Sequence, residues 1–270
     1  MQTRKERLWQ GRDGGLTTLL QMSYNLPAHR LPSPPNQLVS YYRRGGSIRS
    51  RSVSDVVLSC TVDVPALPSR LTVDWEREIA LGLQLEPGDV EALPLARARM
   101  RWPDFRQCVK AVSDWTREPG LSGVLAACDA DLMACRGARY HHDAAQYGAA
   151  AFCNLFLSED KGLDLYFPLS GQRIPLTRGT VVIFDTGQPH AVLQRGSYKF
   201  QVADFPPGSD CSLVFLTWEL PIENVHVASA LRINFDNDPL TASLLNEEQL
   251  RLNGAKVSLC PESGQCRVAG

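Results

Sequence analysis

The sequence predicts a mainly β fold with flanking helices, its core an antiparallel barrel or jelly roll. From Gly120 to about residue 220 the chain breaks into about eight short β-type runs separated by Gly, Pro, Asp and Ser. A Val-rich strand-like stretch, "SVSDVVLSCTVDV", stands well before them. Between the two, "WPDFRQCVKAVSDWTRE" places Phe105, Cys108, Val109, Val112 and Trp115 at three- and four-residue steps, the stripe of a helix packed on a core.

Taken in order, residues 1–51 read as a basic, partly flexible extension. They hold nine Lys and Arg against Glu6 and Asp13, a surplus of +7 in a chain of net charge −1, so the remainder carries −8. The charges are scattered through "LPAHRLPSPP" and "RRGGSIRSR" without the pattern of a nucleic-acid arm, and the acidic remainder argues against a nucleic-acid partner. Residues 52–121 supply strands and helices that support the core. "LTVDWEREIALGLQL" mixes helical periodicity with turn residues, and Pro103 suits the first turn of the helix that follows. Residues 122–220 are the core itself, in runs such as "AAFCNLFLSE", "LDLYFPL", "GTVVIFD", "HAVLQRG" and "CSLVFLTWEL". Residues 221–270 form a C-terminal extension with one helix over 238–254, where Asp238 caps, Pro239 fits the first turn and Gly254 ends it. Leu240, Leu244 and Leu245 would face the body or a second subunit, which leaves a homodimer open.

With 44% hydrophobic and 21% charged residues the chain is that of a globular protein. No apolar run reaches the roughly 18 residues of a membrane span, and no secretory signal is legible, so the cytoplasm is the expected compartment. The eight cysteines show no C-x-x-C spacing and mostly sit in apolar runs, as buried free thiols do in a reducing compartment. Only Cys260 and Cys266, in a polar tail, could pair without disturbing a core.

The chemistry concentrates in "RYHHDAAQYG", residues 139–148. In a strand, residues i and i+2 share a face, so His141 and Asp143 converge on one ion while His142 faces away. A second imidazole must come from elsewhere, and His190, which follows the strand "TVVIFD", is the candidate. Two histidines and one carboxylate occupy one face of an octahedral ion and leave the other open, the facial triad of non-haem Fe(II) oxygenases. Zinc hydrolysis uses similar ligands but also needs a general base, and neither Glu159 nor Asp185 is clearly placed for it. His29 and His226 read as ordinary polar positions, and Tyr140, Tyr166 and Trp218 as packing.

The stretch from "YHHDAAQYG" to "GQPHAVLQRG" resembles the double-stranded β-helix core of Fe(II)/2-oxoglutarate-dependent dioxygenases, in particular their prolyl-hydroxylase-like branch. The order is H-x-D, an apolar strand, a strand ending in Phe-Pro, a Gly turn into "VVIFD" and a distal His, over about residues 122–220. The resemblance implies Fe(II) on His141, Asp143 and His190, with 2-oxoglutarate and O2 as cosubstrates. It also implies hydroxylation of a C–H bond with release of succinate and CO2. A basic residue after the distal His should bind the far carboxylate of 2-oxoglutarate. Arg195, paired with Ser197 as Arg-x-Ser, and Lys199 both qualify, with Arg195 ranked first. Asn154 could hydrogen-bond the cosubstrate or be a satisfied core amide. Arg139, two residues before His141, could enter the barrel mouth and meet an acidic substrate, which suggests a small carboxylate-bearing metabolite such as an amino acid or natural-product intermediate. Two other classes remain: a cupin-type metal-dependent oxygenase or isomerase without 2-oxoglutarate, and a non-catalytic jelly-roll binding module.

Overall fold

The computed structural model describes residues 37–268, and these fold as one compact unit. The protein is mainly β, with a jelly-roll core. In chain order its strands are β1 (Leu38–Arg44), β2 (Ser47–Ser52), β3 (Val57–Thr61), β4 (Val90–Leu93), β5 (Ala130–Cys135), β6 (Ala138–His141), β7 (Ala150–Phe156) and β8 (Leu163–Phe167). They continue with β9 (Gln172–Pro175), β10 (Thr180–Asp185), β11 (His190–Gln194), β12 (Leu213–Pro221), β13 (Gln249–Leu252), β14 (Ala255–Leu259) and β15 (Cys266–Val268). The α-helices are α1 (Ser69–Arg77), α2 (Leu95–Arg99), α3 (Phe105–Trp115), α4 (Ala144–Tyr147), α5 (Val225–Ala230) and α6 (Pro239–Ala242).

Two sheets make the jelly roll. A six-stranded sheet runs β3-β10-β7-β12-β5-β4 and a four-stranded sheet runs β6-β11-β8-β9, all antiparallel. Alternation along the strands of the larger sheet sorts its side chains into two cores. Val182, Phe184, Phe156 and Phe215 face the smaller sheet and pack with Leu163, Leu165, Phe167 and Leu193. The alternate residues Val181, Ile183, Leu155, Leu216 and Trp218 face outward, where Trp75 of α1, Ile79 just after it, Cys108 and Val112 of α3, and Val227 of α5 cover them. The helical stripe read in "WPDFRQCVKAVSDWTRE" is the inner face of α3, and Trp218 is packing, only 2% exposed.

Two extensions differ from expectation. Residues 38–51, assigned by their charge to a partly flexible extension, fall in the β1–β2 hairpin, which joins the sheet β15-β14-β13-β1-β2. Arg51 is wholly buried there, because its guanidinium finds a buried carboxylate in Asp185. The rest of the expected arm, residues 1–36, lies outside the described residues. The C-terminal segment contains only the short helix α6 where a helix through residue 254 was expected. Its Asp238 cap and Pro239 first turn are as read, with Asp238 Oδ1 accepting from Thr241 N at 3.2 Å. The Leu and Gln residues that followed at helical spacing instead pair as strand β13 with β1, where Leu250 and Gln249 are buried. All eight cysteines are free thiols, including Cys260 and Cys266.

Candidate metal centre

His141, Asp143 and His190 come together between the two sheets, their ligand atoms within 4.8 Å of one another. His141 ends β6 and His190 begins β11, and the two are direct cross-strand partners. Asp143 Oδ1 lies 3.7 Å from His141 Nε2, and its Oδ2 lies 3.6 Å from His190 Nε2. Both Nε2 atoms face the centre because both Nδ1 atoms are engaged behind them: His141 Nδ1 with the Arg139 carbonyl at 2.6 Å, His190 Nδ1 with the Gln188 carbonyl at 2.9 Å. A carbonyl can only accept, so each Nδ1 carries a proton and Nε2 is the nitrogen left to offer a lone pair to a metal. The His190 ring is further held edge-on by Phe184, 4.8 Å between centroids.

Asp143 reaches the site by a turn. It lies beyond β6 as the residue before α4, with φ −103° and ψ 5°. Its backbone N donates to the Thr186 carbonyl at 2.8 Å, while its carbonyl accepts from Tyr147 N at 2.7 Å. Its carboxylate caps nothing and is left for the centre. Strand alternation thus separates His142 from His141 as expected, and His142 lines a different depression beside Glu248 and Lys256. The convergence of Asp143 owes to the loop.

The electrostatics of the cluster suit a bound cation. Burial, then the neighbouring His141, holds the His190 imidazolium far below its ordinary range. Burial also raises the Asp143 carboxyl, with His141 opposing. A divalent ion held by these three residues would oppose the rise at Asp143 and would take up the Nε2 lone pairs. Two imidazoles and a carboxylate on one side of an open cavity suit a first-row divalent metal, so the donor set fits Fe(II). Asp185 is bound up with Arg51 and Glu159 with Arg178, so neither carboxylate serves as a base here.

The residues expected to hold 2-oxoglutarate do not gather at this centre. Arg195 donates from Nη1 and Nη2 to Asp160 and from Nε to Asp164, at 2.8–2.9 Å, a pairing that raises its already high pKa. Ser197 Oγ donates to the Lys199 carbonyl at 2.8 Å, and Lys199 is exposed. Arg139 pairs with Asp89 at 3.1 Å and lies over Phe200. Its outward turn has a cause in β6. Ala138 pairs Val192 and His141 pairs His190, so three steps on β6 span two on β11, and this irregularity separates Arg139 from the face of His141.

A cavity of about 270 Å³ opens beside the triad. Of the expected cosubstrate residues only Asn154 lines it, 8% exposed, and its Oδ1 has no hydrogen-bond partner. Thr217, Glu219, Asp131 and Tyr147 line it too and were not singled out from sequence. The signal was present in alternation: Phe215, Thr217 and Glu219 are two apart on β12, as are Asp131, Met133 and Cys135 on β5. No Lys or Arg among the described residues lines the cavity.

No protein-family model matches the chain, and a search of curated proteins gives no match. Among solved structures, a Pseudomonas putida prolyl-4-hydroxylase is similar at 17% identity, over 61% of this chain and 92% of that one, with a TM-score of 0.34. The viral collagen prolyl hydroxylase of Paramecium Bursaria Chlorella virus-1, in its 2OG complex, is similar at 13% identity over 60% and 94%, also with a TM-score of 0.34.

Proposed function

We propose that this chain is a non-haem Fe(II) oxygenase that hydroxylates a small molecule, with His141, Asp143 and His190 as the metal ligands. The observation that carries the reading is the triad itself: three buried or half-buried donors on one side of a cavity lined by both aromatic and polar side chains, with both Nδ1 atoms held by backbone carbonyls. Fe(II) bound there would supply redox chemistry with O2. The chain's own part is to hold the ligands in place, to line the reaction space with Phe152, Phe156 and Phe215 so that water is kept away, and to present a substrate C–H bond.

O2-dependent hydroxylation needs two further electrons, and 2-oxoglutarate, converted to succinate and CO2, is the source that the sequence resemblance implies. Its distal carboxylate finds no cation among the described residues of the cavity. That observation favours the second reading, a metal-dependent oxygenase or isomerase without 2-oxoglutarate, in which both atoms of O2 enter the substrate or no O2 is consumed, so that no outside electrons are needed. In the non-catalytic alternative the triad would bind no iron.

One experiment separates the three. Anaerobic protein is mixed with Fe(II), iron binding is quantified, and 2-oxoglutarate is added while the visible charge-transfer band is sought. The proposal expects stoichiometric Fe(II) binding that is lost in His190→Ala. A band on adding 2-oxoglutarate supports the dependent form. Iron binding without a band supports the independent form, and absence of iron binding refutes the oxygenase.

A further inference from the structure

The cavity wall opposite the triad is unusual for an inner sheet face. Asn154 on β7, Thr217 on β12 and Asp131 on β5 stand directly across from one another in register. Glu219 follows two residues after Thr217 on the same face. Phe152, Phe156 and Phe215 flank this polar row, so it interrupts an apolar surface. Asn154 is more than nine-tenths buried, and its amide oxygen, an acceptor, meets no donor in the protein. Buried acceptors are costly to leave unpaired, and a ligand N–H or O–H entering the cavity would supply the missing partner.

Charge says which. Asp131 and Glu219 are the carboxylates of the cavity besides Asp143, and no described Lys or Arg offsets them there. Asp131 also helps burial raise the Glu219 carboxyl. Each polar residue on this wall offers an acceptor oxygen, the two carboxylates offer nothing else, and the surplus charge is negative.

We infer that this wall binds a protonated amine, and that the substrate is a small primary or secondary ammonium compound. Its N–H groups bond the Asp131 and Glu219 carboxylates and Asn154 Oδ1, its carbon skeleton lies against Phe152 and Phe215, and a C–H bond is offered toward the triad. The reaction at that bond rests on the oxygenase reading; the recognition of the amine does not require the metal. The carboxylate-bearing substrate suggested by Arg139 is replaced, because Arg139 is tied to Asp89 away from the cavity.

The test uses the full chain, stripped of metal, titrated at pH 7 with n-butylamine, n-butanol and butanoate in parallel. The expected result is that butylamine binds at least about tenfold tighter than butanol, the effect of one charge-assisted hydrogen bond, with butanoate weakest. In the double variant Asp131→Asn/Glu219→Gln, butylamine falls to the level of butanol. Butanoate binding as tightly as butylamine, a preference that survives in the double variant, or no measurable butylamine binding overturns the inference. Mn(II) titration of the same proteins reads the triad separately. If the native chain fails to bind Mn(II), the oxygenase reading falls while the amine result stands; if Mn(II) binds and the amine preference is absent, only the amine assignment falls.

Discussion

Replacing Arg51 with methionine should loosen at once both segments that bring His141, Asp143 and His190 together. The guanidinium donates to both Asp185 carboxylate oxygens at 2.6 and 2.8 Å, to the Gly148 carbonyl at 2.9 Å and to the Ser52 carbonyl at 3.1 Å, with both side chains of the pair fully buried. Gly148 follows Asp143 on the turn through α4, and Asp185 precedes His190 on the loop out of β10. One buried cation therefore braces the two ligand-bearing segments. Removing one member of a buried pair costs about 3–5 kcal/mol, because the other charge is left uncompensated. Asp185 keeps two donors, Ser54 N and Gly187 N, each at 2.8 Å, which favours the lower end. At about 3 kcal/mol, and about 2–4 °C per kcal/mol for a chain of this size, the midpoint of thermal unfolding should fall by roughly 6–12 °C. The double variant Arg51→Met/Asp185→Leu should recover part of that loss, since no stranded carboxylate remains. Scanning calorimetry gives both numbers, and Mn(II) titration of Arg51→Met should show weakened binding. A fall of less than about 2 °C, or a double variant less stable than the single one, would refute the reasoning.

Three further outcomes follow from the same structure. His141→Ala and His190→Ala should each lower Mn(II) affinity by at least about a hundredfold, whereas His142→Ala should change it by no more than about twofold; the reverse pattern would mean the ligand register is wrong. Burial, then the Glu223 carboxylate, pushes the Tyr42 phenol up to about 12, so the folded state holds a proton that the unfolded chain releases near pH 10. A raised folded pKa means its contribution is complete below pH 10 and is lost as pH rises toward 12. Tm measured across that interval should fall less steeply in Tyr42→Phe than in the native chain, and equal slopes would contradict the assignment. Trp218→Ala, which empties the layer between the larger sheet and its helices, should cost about 3–5 kcal/mol in urea unfolding; a loss below about 1 kcal/mol would show that the site collapses freely.

The order of short strands, the helix α3 and the clustering of His141, Asp143 and His190 were legible in the sequence because each depends on local periodicity or on chemistry confined to few residue types. His190 could be named because only five histidines exist in the chain. What escaped depended on partners distant in sequence. Nothing local marks Arg51 as buried, since its fate is decided by Asp185, which pairs with it from 134 residues away. Residues 249–252 keep helical spacing, yet pairing with β1 outweighs it. Arg139 was misplaced by one irregular step in β6, which no parity rule applied to an ideal strand can foresee. Arg195 offered the bidentate fork expected of a carboxylate binder, but that fork is taken up by Asp160 and Asp164, residues whose pairing with it no local pattern announces. The polar wall of Asp131, Asn154, Thr217 and Glu219 becomes visible only when β5, β7 and β12 are laid side by side.

The two carbonyls behind the histidine rings have a consequence for how this centre tolerates change. Each belongs to the residue two before its histidine, Arg139 for His141 and Gln188 for His190, and each acts through the peptide unit alone. Swapping either side chain leaves the acceptor where it was. The information that aims the imidazoles is stored in the path of the backbone, so amino-acid exchange at these two positions is nearly silent for ring orientation, while any change in loop length is not. Insertions and deletions in the loops flanking β6 and β11, more than substitutions, are the mutations this centre must avoid.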